Sequence, residues 1–239
     1  MRVSYREHLP TVEVERVVAC VWEQEPVQPW AQRVIPDGCV DLIWLSECEL
    51  VFAGADTAAR VVDLSAGLRS TGVRLRPGAA GAVLGLPASE LRDRQVPAEA
   101  LWGERAARLA EAVAQATPER RLRLLVDAVA ERGAERDELV IAAARTLALA
   151  GARVAAVAET LGVSERTLHR RSLAAVGYGP KMLARVARLR RLVAIEERSL
   201  AARAFEAGYT SQAHMNEEVR RLTGLTPVRF LEDAALTAA

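Results

Sequence analysis

VAAVAETLGVSERTLHRRSL, which spans Val154–Leu173, predicts two short helices that meet at a sharp turn. Val157 and Leu161 lie four residues apart, a spacing that places apolar side chains on one face of a helix. Gly162 can adopt the left-handed backbone that ends a helix, and Ser164 is a favourable N-cap for the next one. These offsets are typical of a helix-turn-helix, whose second helix enters the major groove of DNA.

The second helix of this first motif carries polar and basic side chains. Such donors and acceptors read the edges of bases, and guanidinium groups also bind phosphates. Basic residues outnumber acidic ones from Gly151 onward, whereas the reverse holds before it, which agrees with a phosphate-binding C-terminal part. The residues of the first motif expected to contact DNA are Ser164, Glu165, Arg166, Thr167, His169, Arg170 and Arg171.

The segment SLAARAFEAGYTSQAHMNEEVRRLTG (Ser199–Gly224) repeats the pattern. Gly208 and Tyr209 stand where Gly162 and Val163 stand in the first motif. The next apolar anchor falls one residue later, so we expect the second turn to be one residue longer. The residues of the second motif expected to contact DNA are Thr210, Ser211, Gln212, His214, Asn216 and Arg220.

Residues 180–197 between the motifs predict one continuous helix of about 27 Å. A rigid helix of that length can hold two recognition helices about one DNA turn apart, roughly 34 Å, on one face of the duplex. The helix is basic, and we expect Lys181 and Arg185 to meet phosphates. The alternative is that this charge belongs to an ordinary solvated helix face.

Four stretches of the C-terminal part resemble the DNA-binding domain of the AraC/XylS family of transcriptional regulators. They are LGVSERTLHRR, VGYGPKMLARVARLRR, EAGYTSQAHMNEEVRRLTGLTP and VRFL, and the resemblance covers Gly151–Ala235 almost without gaps. It implies an all-α domain, residues 134–239, with two helix-turn-helix motifs joined by a long helix. It also implies sequence-specific binding to promoter or operator DNA, a homodimer, and RNA polymerase as a further partner.

Three features depart from the family pattern. Ser172 stands where family members usually have a core aromatic residue, which predicts a looser first recognition helix. Glu217 stands where a basic residue is usual, and together with Glu218 it predicts weaker or differently specific binding by the second motif. Aromatic residues make up only 4% of the chain. These departures leave open an alternative function, a ligand or thiol sensor with weakened DNA binding that acts through protein partners.

The N-terminal part has the pattern of short antiparallel strands followed by two helices. RVIPDGCVDLIWL (Arg33–Leu45) alternates around a Pro-Asp-Gly turn, and Pro97–Arg132 has a helical period. The two helices could pack on the sheet or against a second copy. We expect an α+β chain, with a small cupin-like β-barrel and two packed helices over residues 1–133, followed by the all-α domain. The N-terminal segments resemble a poorly characterised subset of the AraC/XylS family, which implies a domain that dimerises and senses a small effector.

An effector pocket needs apolar walls and a few polar groups. The candidate lining residues are Trp22, Trp30, Arg33, Asp37, Cys39, Asp41, Trp44 and Arg74. The alternatives are that Asp37 and Gly38 form a hairpin turn and that the Trp residues are core. The three cysteines, Cys20, Cys39 and Cys48, are either a thiol or soft-metal sensor or small buried hydrophobic residues.

Composition argues against several other classes of protein. The 239 residues are 51% hydrophobic and carry a net charge of +1, enough apolar material for packed domains. An acidic N-terminus without an apolar run predicts no secretory signal and no membrane span, and therefore a cytoplasmic protein. His8 is the only histidine before His169, so we expect no metal-dependent cupin chemistry, no Ser/His/Asp triad, no bound metal and no cofactor. We accordingly expect a protein that is not an enzyme.

Overall fold

The computed structural model describes residues 3–46, 49–133, 135–196 and 199–237. Cys48, one of the three candidate sensor thiols, lies outside the described residues. The N-terminal part is built from strands and four helices, and the elements described after residue 137 are all helices. The strands are β1 (Val3–His8), β2 (Val18–Pro26), β3 (Trp30–Val34), β4 (Val40–Leu45), β5 (Glu49–Ala53), β6 (Arg60–Leu64), β7 (Ser70–Leu75) and β8 (Gln95–Pro97).

The strands form two antiparallel sheets. Six of them pair in the order β1-β2-β7-β4-β5-β8, and β3 pairs with β6. The β-rich domain with helices is confirmed, although within the described residues the sheets do not close into one barrel. The segment around Asp37 and Gly38 is not a hairpin turn, because β3 and β4 belong to different sheets and β4 pairs with β5 and β7 instead.

Helices cover one face of the larger sheet. The helices of this part are α1 (Ala80–Leu84), α2 (Glu99–Trp102), α3 (Glu104–Ala114) and α4 (Pro118–Ala130), with a short 3-10 turn at Ala88–Leu91. Because side chains alternate along a strand, Leu42, Phe52 and Val73 share a face, and they are fully buried. Val113 of α3 and Val129 of α4 join the same core, so these two helices pack on the sheet.

Seven helices complete the described chain. They are α5 (Glu138–Leu147), α6 (Val154–Thr160), α7 (Glu165–Val176), α8 (Pro180–Ala194), α9 (Leu200–Glu206), α10 (Gln212–Thr223) and α11 (Pro227–Thr237). The predicted helix over residues 180–197 is too long, because α8 ends at Ala194 and spans about 22 Å. Its last turn stops where Ile195 becomes extended, packs on the second core and accepts a hydrogen bond from Arg203.

Three apolar cores hold these elements together in the described chain. One lies between α5, α6 and α7, and a second surrounds α9, α10 and the end of α8. The largest combines the sheet, α3 and α4 with Val176 of α7 and Leu183 of α8. This core crosses the predicted domain boundary between residues 133 and 134, and the boundary stays a prediction. None of the helices in the described residues combines the length and apolar composition that crossing a membrane requires.

Candidate DNA-binding surface

The turn of the first motif is built by Gly162. Its backbone is left-handed, with φ of +68°, and α6 ends just before it. The Val163 N–H then donates to the Ala158 carbonyl at 3.0 Å, which closes the end of the helix. Two residues after the glycine, the Ser164 hydroxyl accepts a hydrogen bond from the Thr167 N–H at 3.1 Å and caps α7.

The second motif repeats this geometry around Gly208. Here φ is +95°, and the Tyr209 N–H donates to the Ala204 carbonyl at 2.9 Å. The cap of α10 is Ser211, whose hydroxyl accepts from the His214 N–H at 3.1 Å. This cap follows the glycine by three residues rather than two, as the sequence predicts. Both segments are therefore helix-turn-helix motifs with the same closing hydrogen bond.

Most of the predicted DNA contacts lie on the exposed side of the motifs. Leu168 and Met215, the apolar anchors of α7 and α10, are fully buried, so the opposite sides of both helices face solvent. The exposed residues are Ser164, Glu165, Arg166, His169, Arg170, Lys181, Thr210, Ser211, Gln212 and Arg220. The half-buried ones are Thr167, Arg171, Arg185, His214 and Asn216.

Arg171 already has a carboxylate partner within the chain. Its Nη2 and Nε donate to the two oxygens of Asp137 at 2.7 and 2.8 Å, and this hydrogen bonding raises the pKa of the guanidinium. The fork-to-fork arrangement fixes the side chain along the flank of α7. The sequence pattern does not anticipate this pair.

Glu218 does not face the phosphate side of the second motif. It is buried, and both of its carboxylate oxygens accept hydrogen bonds from Arg188 of α8, at distances between 2.9 and 3.3 Å. Arg185 and His214 also contact it, at 3.3 and 3.4 Å. Glu218 is therefore not an exposed carboxylate, because basic residues of α8 hold it inward, and its effect on DNA binding stays a prediction. Glu217 remains exposed and pairs with Arg221, four residues along.

His214 is half-buried and lies inside the second motif. Its Nδ1 is 3.0 Å from the Thr210 hydroxyl, and its Nε2 faces Glu218. The ring also packs edge-on against Tyr209, with 5.5 Å between centroids. Both ring nitrogens thus have partners within the protein before any DNA is bound.

Ser172 lies in the core of the first motif, as its position suggested. The side chain is fully buried, and its hydroxyl has no hydrogen-bond partner in the described chain. A buried hydroxyl without a partner is destabilising, since it loses its bonds to water. The expectation that Ser172 loosens the packing of α7 stays a prediction.

The effector-pocket candidates do not all come together. Arg74 pairs with Asp41 through two hydrogen bonds of 3.1 and 3.3 Å, and Asp37 and Glu7 lie within 3.8 Å of it. Burial raises the pKa of Asp41, which Arg74 opposes, while Asp41 raises the pKa of Arg74. Trp22 lies opposite Gly72 on this same face of the sheet, and Cys39 lies near Arg74 and Asp37.

Trp44, Trp30 and Arg33 lie apart from this charged cluster. Trp44 points to the helix-covered face, where the Arg121 guanidinium stacks 4.6 Å from its ring. Trp30 is on β3, in the smaller sheet. Arg33 reaches the end of α10 and donates to the Thr223 carbonyl at 3.1 Å. Two surface hollows of the described chain lie elsewhere, beside Glu206 and beside Gly67.

The two described thiols are poorly placed for redox sensing. Burial raises the pKa of Cys20 to about 11 and that of Cys39 well above its usual value. A thiol reacts as its thiolate, so a raised pKa disfavours reaction of either thiol at neutral pH. In the described part of the chain, no three His, Cys, Asp or Glu side chains gather as a metal site would require.

The N-terminal domain contacts both recognition helices near their C-terminal ends. For α10, the Ala59 N–H donates to the Leu222 carbonyl at 2.7 Å, beside the bond from Arg33. The end of α7 packs on α1 and on the 3-10 turn. Sequence reasoning missed these contacts. The sequence could have identified Asp137 as the N-cap of α5, because it directly precedes that helix. Its contacts with Gly78 and Arg171 could not be predicted, because both residues are far away in the sequence.

The sequence matches two families. Residues 157–233 match a family described as a helix-turn-helix domain, and residues 6–97 match a domain of unknown function, DUF6597. The first match covers both motifs and α8, where the resemblance to AraC/XylS lies. The C-terminal domain is an AraC-type helix-turn-helix domain. An AraC-type domain binds DNA, so the chain is a DNA-binding regulator of transcription, and its N-terminal match fits the poorly characterised subset of that family.

Solved structures of ToxT from Vibrio cholerae are similar to this chain. An apo variant from strain SCE256 is 12% identical, with a TM-score of 0.43 and 96% of each chain covered. A second structure, at 1.65 Å, is 8% identical, with a TM-score of 0.45 and coverage of 95% of this chain and 98% of ToxT. No curated protein matches the chain significantly.

Proposed function

We propose that this regulator reads a specific DNA sequence with the N-terminal halves of α7 and α10. The observation that carries the proposal is the repeated turn geometry, which leaves one polar helix face exposed in each motif. Ser164 and Ser211 cap the N-termini of α7 and α10, where the positive end of each helix dipole lies. A helix N-terminus favours a phosphate nearby.

The side chains at these positions divide into base readers and phosphate binders. Arg166 and Arg170 carry the planar fork that matches the O6 and N7 atoms of guanine, and Gln212 has the paired donor and acceptor that suit adenine. Lys181, exposed in the first turn of α8, is suited to a phosphate. His214 is better placed to shape the second motif, since both of its ring nitrogens already have partners.

We further propose that the N-terminal domain senses a small effector. The group around Arg74, Asp41 and Trp22 supports this, since it combines paired charges with an aromatic wall on one sheet face. Because the same domain contacts both recognition helices, an effector that favours one arrangement of the domains would shift DNA binding. A homodimer and contact with RNA polymerase complete the proposal, as the family resemblance implies.

The test is DNA binding by the purified chain. Duplexes are selected from a randomised library, and binding is measured at two salt concentrations with competitor DNA. Arg170→Ala should weaken binding by about 1–3 kcal/mol and relax specificity at one base pair. Arg123→Ala is the matched control, because it removes an equal charge from the exposed side of α4. Equal binding by the two variants would show that α7 does not read the DNA.

A further inference from the structure

Asp137 lies where the N-terminal domain, α5 and the first recognition helix meet. Its backbone N–H donates to the Gly78 carbonyl at 3.0 Å, just beyond β7. Its carboxylate accepts from the Val140 N–H at 3.0 Å and so caps α5. The same carboxylate accepts two hydrogen bonds from the guanidinium of Arg171 on α7. One residue thus connects three elements.

The link to α7 constrains the rotation of that helix. Successive residues of an α-helix are about 100° apart around its axis. When the guanidinium fork of Arg171 is held against α5, the neighbouring Arg170 is turned away from it and toward solvent. A bidentate pair limits rotation more than a single contact does, since both of its hydrogen bonds must keep their geometry.

The hydrogen bond to the Gly78 carbonyl couples the position of Asp137 to that of the N-terminal domain. Gly78 follows β7, and β7 also holds Arg74 of the charged cluster. Movement of this segment changes the location of the Asp137 backbone and therefore of its carboxylate. Asp137 thus hydrogen bonds to the N-terminal domain through its backbone and pairs with a recognition helix through its side chain.

We propose that Asp137 is a positioning residue, which sets the orientation of the first recognition helix through Arg171. The proposal rests on DNA reading by α7. It assigns Arg171 a role within the protein, in place of the phosphate contact that its sequence position suggests. The side chains of Asp137 and Arg171 are 19% and 40% exposed, so the pair is partly screened and its effect on affinity is moderate.

Two substitutions separate positioning from direct phosphate contact. Asp137→Asn keeps a good N-cap for α5 and removes the charge that holds Arg171. If Arg171 is held for positioning, Asp137→Asn and Arg171→Gln should each weaken DNA binding about fivefold. The double variant should be no weaker than either single one, because both changes break the same contact. The salt dependence should stay unchanged, since no phosphate contact is lost.

Direct phosphate contact predicts the opposite sign for Asp137. Releasing Arg171 from its carboxylate would then strengthen binding and steepen the salt dependence, while Arg171→Gln would weaken binding and flatten it. That result would overturn the proposal, and so would additive losses in the double variant.

The same variants should leave the second motif in place on DNA. In hydroxyl-radical footprints, Asp137→Asn should reduce protection over the half-site of α7 and keep it over the half-site of α10. An equal loss over both halves, or a lower midpoint of urea unfolding that accounts for the change, would count against positioning. Arg170→Ala serves as the reference. If Arg170→Ala and Asp137→Asn both leave binding unchanged, the proposal that α7 reads DNA is wrong, independently of any role of Asp137.

Discussion

With Glu218→Gln, the second motif should unfold at a lower urea concentration and bind DNA more weakly. The side chains of Glu218 and Arg188 are 9% and 12% exposed, and three donor–acceptor distances of 2.9 to 3.3 Å join them. Glutamine keeps the shape and one acceptor oxygen, but it places an amide group against the guanidinium and leaves a buried positive charge unpaired. Breaking a buried pair in this way costs about 3 kcal/mol. Arg185 adds little, since it is partly exposed.

The matched control is the neighbouring carboxylate. Glu217→Gln removes the same charge from an exposed pair with Arg221, and it should change the stability by less than about 0.5 kcal/mol. Urea unfolding followed by circular dichroism measures both variants, and footprinting shows whether only the half-site of α10 is lost. If the two variants unfold at the same urea concentration, Glu218 is not a buried partner of Arg188. A gain in DNA affinity for Glu218→Gln would indicate that Glu218 faces the DNA phosphates.

Three further substitutions test the account at other places. Ser172→Ala should raise the unfolding free energy by about 1 kcal/mol, because it removes a buried hydroxyl without a partner; a loss of stability would mean that the hydroxyl is satisfied. Arg33→Ala should speed amide hydrogen exchange in the last turn of α10, since a charge-assisted bond worth about 1 kcal/mol to the Thr223 carbonyl is lost; unchanged exchange would contradict that contact. Burial raises the pKa of Asp56 to about 6. Between about pH 4 and 6, its carboxyl group is therefore protonated in the folded protein and ionised in the unfolded protein. The stability contributed by protonated Asp56 is therefore lost as pH rises through 6, and Asp56→Asn should stabilise the protein at pH 7 by about 2 kcal/mol more than at pH 4; equal effects at both pH values would refute the raised pKa.

Local features of the sequence predicted the motifs well. Gly162 and Gly208 end their helices and Ser164 and Ser211 cap the next ones, because each of these interactions involves residues within a few positions of one another. The longer second turn followed from the same offsets. Hydrophobic period and capping residues were sufficient for these elements, since they report the local backbone directly.

Contacts between distant parts of the chain could not be predicted in this way. Arg171 and Asp137 are 34 positions apart, and Arg33 and Thr223 are 190 apart. Their side chains carry no sequence signal of their partners, so Arg171 was assigned to DNA and Arg33 to the effector pocket. Strand pairing has the same limit: the Pro-Asp-Gly turn is a good local signal for a hairpin, yet β4 pairs with β7, which comes much later in the chain.

We propose that α7 and α10 read DNA together from one face of the duplex. A hydroxyl-radical footprint of the full chain on its selected DNA tests this most directly. We expect two protected regions about one helical turn apart, with Arg170→Ala weakening only the first. A single protected region, or protection that is unchanged in Arg170→Ala, would contradict the claim.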